Sequence, residues 1–369
     1  MKGHLIAIGG ALVLLAAIWL APDLSPQLNG TASFEQFAAR ITALRPPSED
    51  PTQPTAEVEL LDGPHRGETV AALVGGPSGA VDLPAYQIGD EVIVTNQPGA
   101  DGDFYVIGDR MRGPLLEGLV ALFAAVVILV GGWRGLRSLL ALALTLAVTV
   151  KLVVPLLLRG WDPVTLAVAT ATAVTIATLL LTEGWRRSTF AAIAGTFCAL
   201  ALTAVLAAVF TTLAQFTEFQ GSEEAAFVSR SLGATFDVRG LLLAAVIFGA
   251  LGVLDDVTMT QAAAVAELRM ANPGANVGWL VRASMNIGRS HIAATVNTLV
   301  LAYVGASLPL LVLFAVGSQS LLTMASSEFI AVEVVRGLVG SIGIVAAVPL
   351  TTVVAAILER ARSNPAPVA

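Results

Sequence analysis

The chain has 369 residues, of which 56% are hydrophobic and only 13% charged. Soluble domains carry about 25% charged residues, so this composition excludes an ordinary soluble protein and requires lipid around most of the chain. The net charge is −7; residues 22–113 hold 14 acids and five arginines, whereas the rest holds 13 acids and 15 bases, a distribution that argues against a nucleic-acid partner.

A lipid-spanning helix needs about 20 apolar residues. Eight segments qualify: 4–21, 114–133, 136–158, 161–182, 190–214, 240–256, 292–316 and 330–357. Residues 1–21 read as an uncleaved membrane anchor, because no clean small-residue cleavage site follows Trp19. Residues 22–54, with "RPPSEDPTQPT", have the composition of a flexible tether. Residues 55–112 change character. "AEVELLD" and "DEVIVTN" alternate apolar and polar residues, "FYVIGD" reads as a further strand, and "DGP" and "PGADGD" are turn signals. About five short strands predict a small β-rich domain, an OB- or SH3-like barrel. "GPSG" (Gly76 to Gly79) matches a serine-protease pattern but reads as a turn, with Pro77 beside the serine. Residues 113–358 then form a seven-helix membrane domain, and 359–369 a tail.

The expected loops on one side carry Lys2, Arg134, Arg137, Arg186, Arg187, Arg269, Arg282, Arg289, Arg360 and Arg362. The short opposite loops carry only Arg159, Arg230 and Arg239. Positive charge stays inside, so both termini are expected in the cytoplasm and residues 22–112 outside it. Trp19, Trp133, Trp161 and Trp185 fall at span ends, as interfacial anchors do. The fold class is thus a predominantly α-helical polytopic membrane protein, about eight helices with N-in and C-in, carrying a small extracytoplasmic barrel.

Charge at membrane depth costs roughly 2.5–3.5 kcal/mol on insertion scales, so each polar residue in a span needs a reason. Lys151 either snorkels to the headgroups or functions at depth. Glu333 and Arg336 share a helical face as an ion pair. Thr165, Thr172, Thr175 and Thr182 share a face and read as packing, as do Gly337, Gly340 and Gly343. Cys198, the one cysteine, reads as a buried packing residue and permits no disulfide within the chain. Arg289 and His291 lead into an apolar helix that contains Asn297 and Thr298; an amide there needs partners from another helix. The densest stretch is "ALGVLDDVTMTQAAAVAELR", residues 250–269, with Asp255, Asp256, Thr258, Thr260, Gln261 and Glu267. Either the helix breaks at Gly252 and the acids line a pocket, or one long helix projects from the membrane. The break is the expectation, with Asp256 the first residue to mutate.

"LVVPLLLRGWDP", "LLLTEGWRRSTFAAIAGT", "ALGVLDDVTMTQAAAVAEL", "NIGRSHIAATVNTLVLAYVGASLPLLVLF" and "EVVRGLVGSIGIVAAVPLTT" occur in this order. Together they resemble the YibE/F family of bacterial multispanning membrane proteins, over roughly residues 55 to 358. The resemblance implies an extracytoplasmic domain followed by a helical body, and its motifs fall on Asp256 and Glu267, on Arg289, Asn297 and Thr298, and on Glu333, Arg336 and Pro349. Asp255 beside Asp256, and His291 in place of an apolar residue, depart from that pattern.

Adjacent Asp255 and Asp256 point about 100° apart on a helix and make no protease dyad. About 24 Å of helix separates His291 from Ser307, and the three histidines have no zinc spacing. No enzyme, cofactor or metal is therefore expected. The expected function is a transporter or permease for an ion or small solute in the bacterial inner membrane. The alternative is a scaffold, sensor or assembly factor whose outer β domain binds a protein. Expected partners are the bilayer, the ion or solute, an extracytoplasmic protein and a second copy of the chain.

Overall fold

The computed structural model describes residues 13, 15–20, 35–45, 56–74, 86–97, 104–216, 237–316, 320, 322–323 and 326–360. The GPSG turn, most of the first span, the Pro-rich stretch of the tether and residues 361–369 lie outside the described residues. The chain divides into two compact units, residues 28–126 and residues 1–27 with 127–369.

Among the described residues the first unit is a barrel of five strands, β1 (Gln36–Leu44), β2 (Ala56–Leu60), β3 (Thr69–Val74), β4 (Glu91–Gln97) and β5 (Phe104–Arg110). They close in the order β1-β2-β3-β5-β4. β1 runs antiparallel to β2 and β4, and β3 pairs parallel with β5, which is the OB-type order of the two expected. β1 lies inside the stretch expected as tether. Its "QFAARITAL" alternates at period two and buries Phe37, Ala39 and Ile41, while the Pro-rich composition that follows conceals it. Without β1 the facing edges of β2 and β4 would be unpaired. Ile41, Val58, Leu60, Val92, Val94 and Ile107 fill the interior, so the barrel is a packed core rather than a cavity. Outside, Arg40 pairs with Glu91 at 2.9 Å, Arg110 with Asp90 at 2.9 Å, Arg112 with Asp109 at 2.8 Å, and Arg45 with Glu57. The Arg112 guanidinium holds the Asp109 carboxyl below the usual carboxylate range.

The turn after β2 contains two glycines in left-handed conformation, Gly63 (φ +81) and Gly67 (φ +87). A Cβ at Gly63 would also strike the Phe37 ring, whereas one at Gly67 meets nothing within 4 Å. Gly67→Ala is expected to cost only the left-handed backbone penalty, about 1–2 kcal/mol, and Gly63→Ala clearly more. Thermal melts of the two variants check the ranking; equal transitions would refute the role of Phe37.

The second unit is helical. Helix α1 (Gly113–Val148) starts in the first unit and continues through one π-helical turn, Thr149–Val153, into α2 (Val154–Leu158). Then come α3 (Pro163–Glu183), α4 (Arg187–Leu213), α5 (Val238–Ala271), α6 (Val277–Ala306), α7 (Leu308–Val316) and α8 (Glu328–Arg360). Among the described residues five helices are long and apolar enough to cross a membrane: Gly113–Leu158, Pro163–Glu183, Arg187–Leu213, Arg239–Ala271 and Ile330–Arg360. This differs from the eight expected for identifiable reasons. The 46-residue helix Gly113–Leu158 contains two of the expected spans. Gly132 leaves helical geometry (φ 54, ψ −133), and a Cβ at Gly135 would collide with the Val127 carbonyl oxygen. Those residues would be about 12 Å apart along a straight helix, so the axis folds back at Gly132. The expected span 292–316 is instead cut at Ser307 between α6 and α7, and α6 starts at Val277, inside an expected loop. The π turn precedes Pro155: Val154 N–H donates to Thr149 O, a five-residue step that accommodates a ring unable to fit a regular α-helical turn.

α5 lies at the centre, packed against α3, α4, α6 and α8. The contacts use small residues, Ala167 and Ala171 of α3, Ala199 of α4, Ala244 and Ala250 of α5, and Ala347 of α8, which let helix backbones approach closely. Gly195 of α4 leaves the space that Thr351 of α8 fills, and Gly343 of α8 the space for Thr203 of α4. Of the expected glycine stripe, Gly337 also packs, against Tyr303, while Gly340 has nothing within 4 Å. Cys198 is exposed, not buried as expected. Gly195, Thr196 and Ala199 turn inward on α4, which carries Cys198 to the outer face.

Asp162 caps α3 and accepts the Thr165 N–H at 2.7 Å. The Thr165 contacts, side chain and backbone, hold its carboxyl below the ordinary value of 3.8. A carboxyl lowered on folding stabilises above its unfolded pKa, and the contribution disappears as pH falls through the folded value. Asp162→Ala is expected to cost about 0.5–1 kcal/mol at neutral pH, a cap at an exposed site, and less at pH 3. Asp162→Asn retains most of the cap. Melts at both pH values test this, and a loss that persists in acid would contradict it.

Candidate functional site

The candidate site is built on α5. This helix runs unbroken from Val238 to Ala271, so the break expected at Gly252 does not occur. Gly252 is exposed with open space where a Cβ would stand, while Leu251 and Leu254 beside it are held in the core. Continuity fixes the two acids on different sides of the helix. Asp255 is half-buried and turned toward α3; Asp256 is exposed.

Thr175 Oγ1 of α3 donates to both Asp255 oxygens, at 3.0 and 3.3 Å. Beside it, Thr196 Oγ1 of α4 lies 2.7 Å from Thr258 Oγ1 of α5. Thr196 and Thr258 are 1% and 0% exposed. Thr175 stands about 18 Å from the start of α3 and about 12 Å from its end at 1.5 Å per residue. The helix is about as long as the hydrocarbon layer is thick, about 30 Å, and the Asp255 carboxylate meets it between its ends. Among the described residues no basic side chain pairs with it.

Gln261, two turns on, has a structural part. Its Nε2 donates to Ser284 O at 3.0 Å and Thr352 Oγ1 at 2.7 Å, tying α5 to α6 and α8. Glu267 lies about 18 Å beyond Asp255 along the axis. It lines a cleft of about 410 Å³ with Glu183, Arg186, Arg187 and Glu359. Behind that cleft buried Arg269 donates to the carbonyls of Pro273 (3.0 Å), Ala275 (2.6 Å) and Glu359 (3.3 Å). It thereby satisfies backbone acceptors near the ends of α5 and α8.

The other expected residues stand apart. Thr260 is exposed. Asn297 and Thr298 are exposed on the second half of α6, and Thr298 bonds back to Ala294 O at 2.9 Å. Arg289 reaches Asn286 at 3.4 Å, and His291 is half-buried. Lys151 lies in the π turn with its ammonium 5.5 Å from the Trp19 ring, a cation–π contact. Glu333 and Arg336 form a 2.7 Å ion pair, and Glu333 lines a mainly apolar pocket of about 210 Å³ with Tyr303 and Gly337. Among the described residues no group of three His, Cys, Asp or Glu side chains converges to hold a metal.

Neither Thr175, the hydrogen-bond partner of Asp255, nor Thr196 beside it is singled out by sequence. Thr175 shares a face with Thr172 and Thr182, which bond back along α3 to Val168 O and Thr178 O, but its own hydroxyl bonds across to α5. Thr196 belongs to a seven-residue repeat, Thr189, Thr196 and Thr203, all buried. That repeat was the available signal for a hydroxyl-lined face.

Long apolar helices with a few buried hydroxyls between them, preceded in the chain by a small closed barrel, define an integral membrane protein. A family model described as YibE/F-like protein matches residues 119–361. The chain belongs to this family. The matched residues begin after β5, so the helices carry the likeness that the sequence reading extended back to residue 55. Neither a curated protein nor a solved structure matches the chain.

Proposed function

We propose that the protein is a transporter or permease for an ion or small solute in the bacterial cytoplasmic membrane. One observation carries this reading: Asp255, midway along the long apolar helices, accepts the Thr175 hydroxyl of a neighbouring helix and has no basic partner among the described residues. Ionisable residues inside a membrane body are expensive and mark ion or proton pathways. An aspartate that served only the fold would be paired with a cation or replaced by an apolar residue. In this reading the arginine-rich ends of α5 and α8 face the cytoplasm, the barrel is extracytoplasmic, and the protein catalyses no reaction.

Flux in proteoliposomes of the full chain tests the proposal. Purified protein is expected to move an ion or solute, and the rate to depend on Asp255. A protein that moves nothing across a broad panel, with Asp255→Asn indistinguishable from the parent in cells, would sink it. A scaffold or sensor reading draws on the barrel, a separately packed unit of its own. Removal of residues 22–110 separates the two readings, since a transporter retains flux and a scaffold loses its cellular role.

A further inference from the structure

We infer that the ion handled at Asp255 is a proton and not a metal cation; this rests on the transport reading and names its ion. The oxygens around the site decide the matter. They are the two carboxylate oxygens and Thr175 Oγ1, with the hydroxyl pair of Thr196 and Thr258 beside them. Thr175 donates to the carboxylate, which leaves few further oxygens for a cation. Magnesium takes six oxygens and calcium about six to eight; sodium likewise needs several. Transporters obtain the additional ligands from carbonyls freed where helices unwind. Here α3, α4 and α5 are regular through the site, so their carbonyls are committed to helix hydrogen bonds.

The charged surroundings also fit a proton. On α5 the neighbouring acids are exposed Asp256 and distant Glu267. On α3 the acid is Glu183, at its last residue, and α4 contributes Arg187 at its first. α6 carries Arg282, Arg289 and His291, none bonded to Asp255. α8 carries the Glu333–Arg336 pair toward one end and Glu359 and Arg360 at the other. Among the described residues the side-chain hydrogen bonds to the carboxylate come from the Thr175 hydroxyl. Uptake transfers H⁺ from hydronium to an Asp255 oxygen, leaving water and a neutral carboxyl; release reverses this, with no change in oxidation state. Thr196 and Thr258, 2.7 Å apart, can relay the proton by accepting one and passing on their own.

The test uses the full chain in liposomes with an internal pH dye, under a pH gradient, with sodium and potassium replaced by an impermeant organic cation. Proton flux is expected to persist, to be indifferent to added sodium, potassium or magnesium, and to fall about tenfold or more in Asp255→Asn. Asp255→Glu retains part of it. Flux that requires one of those metals and moves no protons would overturn the proton assignment while leaving the transport reading standing. If nothing moves, the transport reading fails, and difference infrared spectroscopy in lipid decides the proton assignment by itself. A protonated-carboxyl band that titrates with pH, ignores metal salts and is missing in Asp255→Asn supports it; a band displaced by a metal salt at fixed pH refutes it. Thr175→Val, which keeps the fold's volume, is expected to shift that band by removing a hydrogen bond, and Thr175→Ser to restore it.

Discussion

Asp255→Asn is expected to reduce flux about tenfold or more, whereas Asp256→Asn leaves it within about twofold of the parent. The two acids are adjacent in sequence but differ in surroundings. Asp255 receives Thr175 at 3.0 Å inside the helical unit; Asp256 is exposed on the outer side of the same helix. Asparagine has almost the volume of aspartate and still accepts the Thr175 hydroxyl, but it cannot take up a proton or balance a cation. The Asp255 variant should therefore fold and fail. Initial flux in proteoliposomes, normalised to reconstituted protein, measures both variants. Equal losses would show that the charge of the pair matters and not the caged carboxylate.

The second large effect is on stability. Gly195→Ala is expected to destabilise the helical unit by about 1–3 kcal/mol, the range for overpacking a close contact. The added methyl meets Thr351 Oγ1, with the Thr351 Cβ 2.8 Å and Cα 3.1 Å away. Thr351→Ala removes the nearest of these atoms, so the double variant should recover part of the loss and show a coupling that distant sites lack. Gly252→Ala is the control, since a methyl there enters open space. Thermal unfolding in detergent compares the four proteins. If Gly195→Ala and Gly252→Ala melt together, α4 and α8 are not in close contact.

Much of this was legible from residue types alone. The alternation of "AEVEL" and "EVIVT" identified β2 and β4 because a half-buried strand must repeat at period two. β1 was not found, because its Pro-rich flank resembles a tether and its value lies in closing the sheet against two strands distant in sequence. The ion pair of Glu333 and Arg336 was readable because it is local, three residues along one helix. The partner of Asp255 was not, since Thr175 comes from another helix and a threonine suits packing equally well.

The sequence by itself determined that the chain enters lipid, where its polar residues cluster and which family it resembles, because hydrophobicity and short-range periodicity are additive along a chain. Tertiary structure alone decided which aspartate is caged. Unbroken helical geometry through Gly252 sets Asp255 and Asp256 about 100° apart, and the close approach of α3 to α5 brings a hydroxyl to one of them and leaves the other exposed.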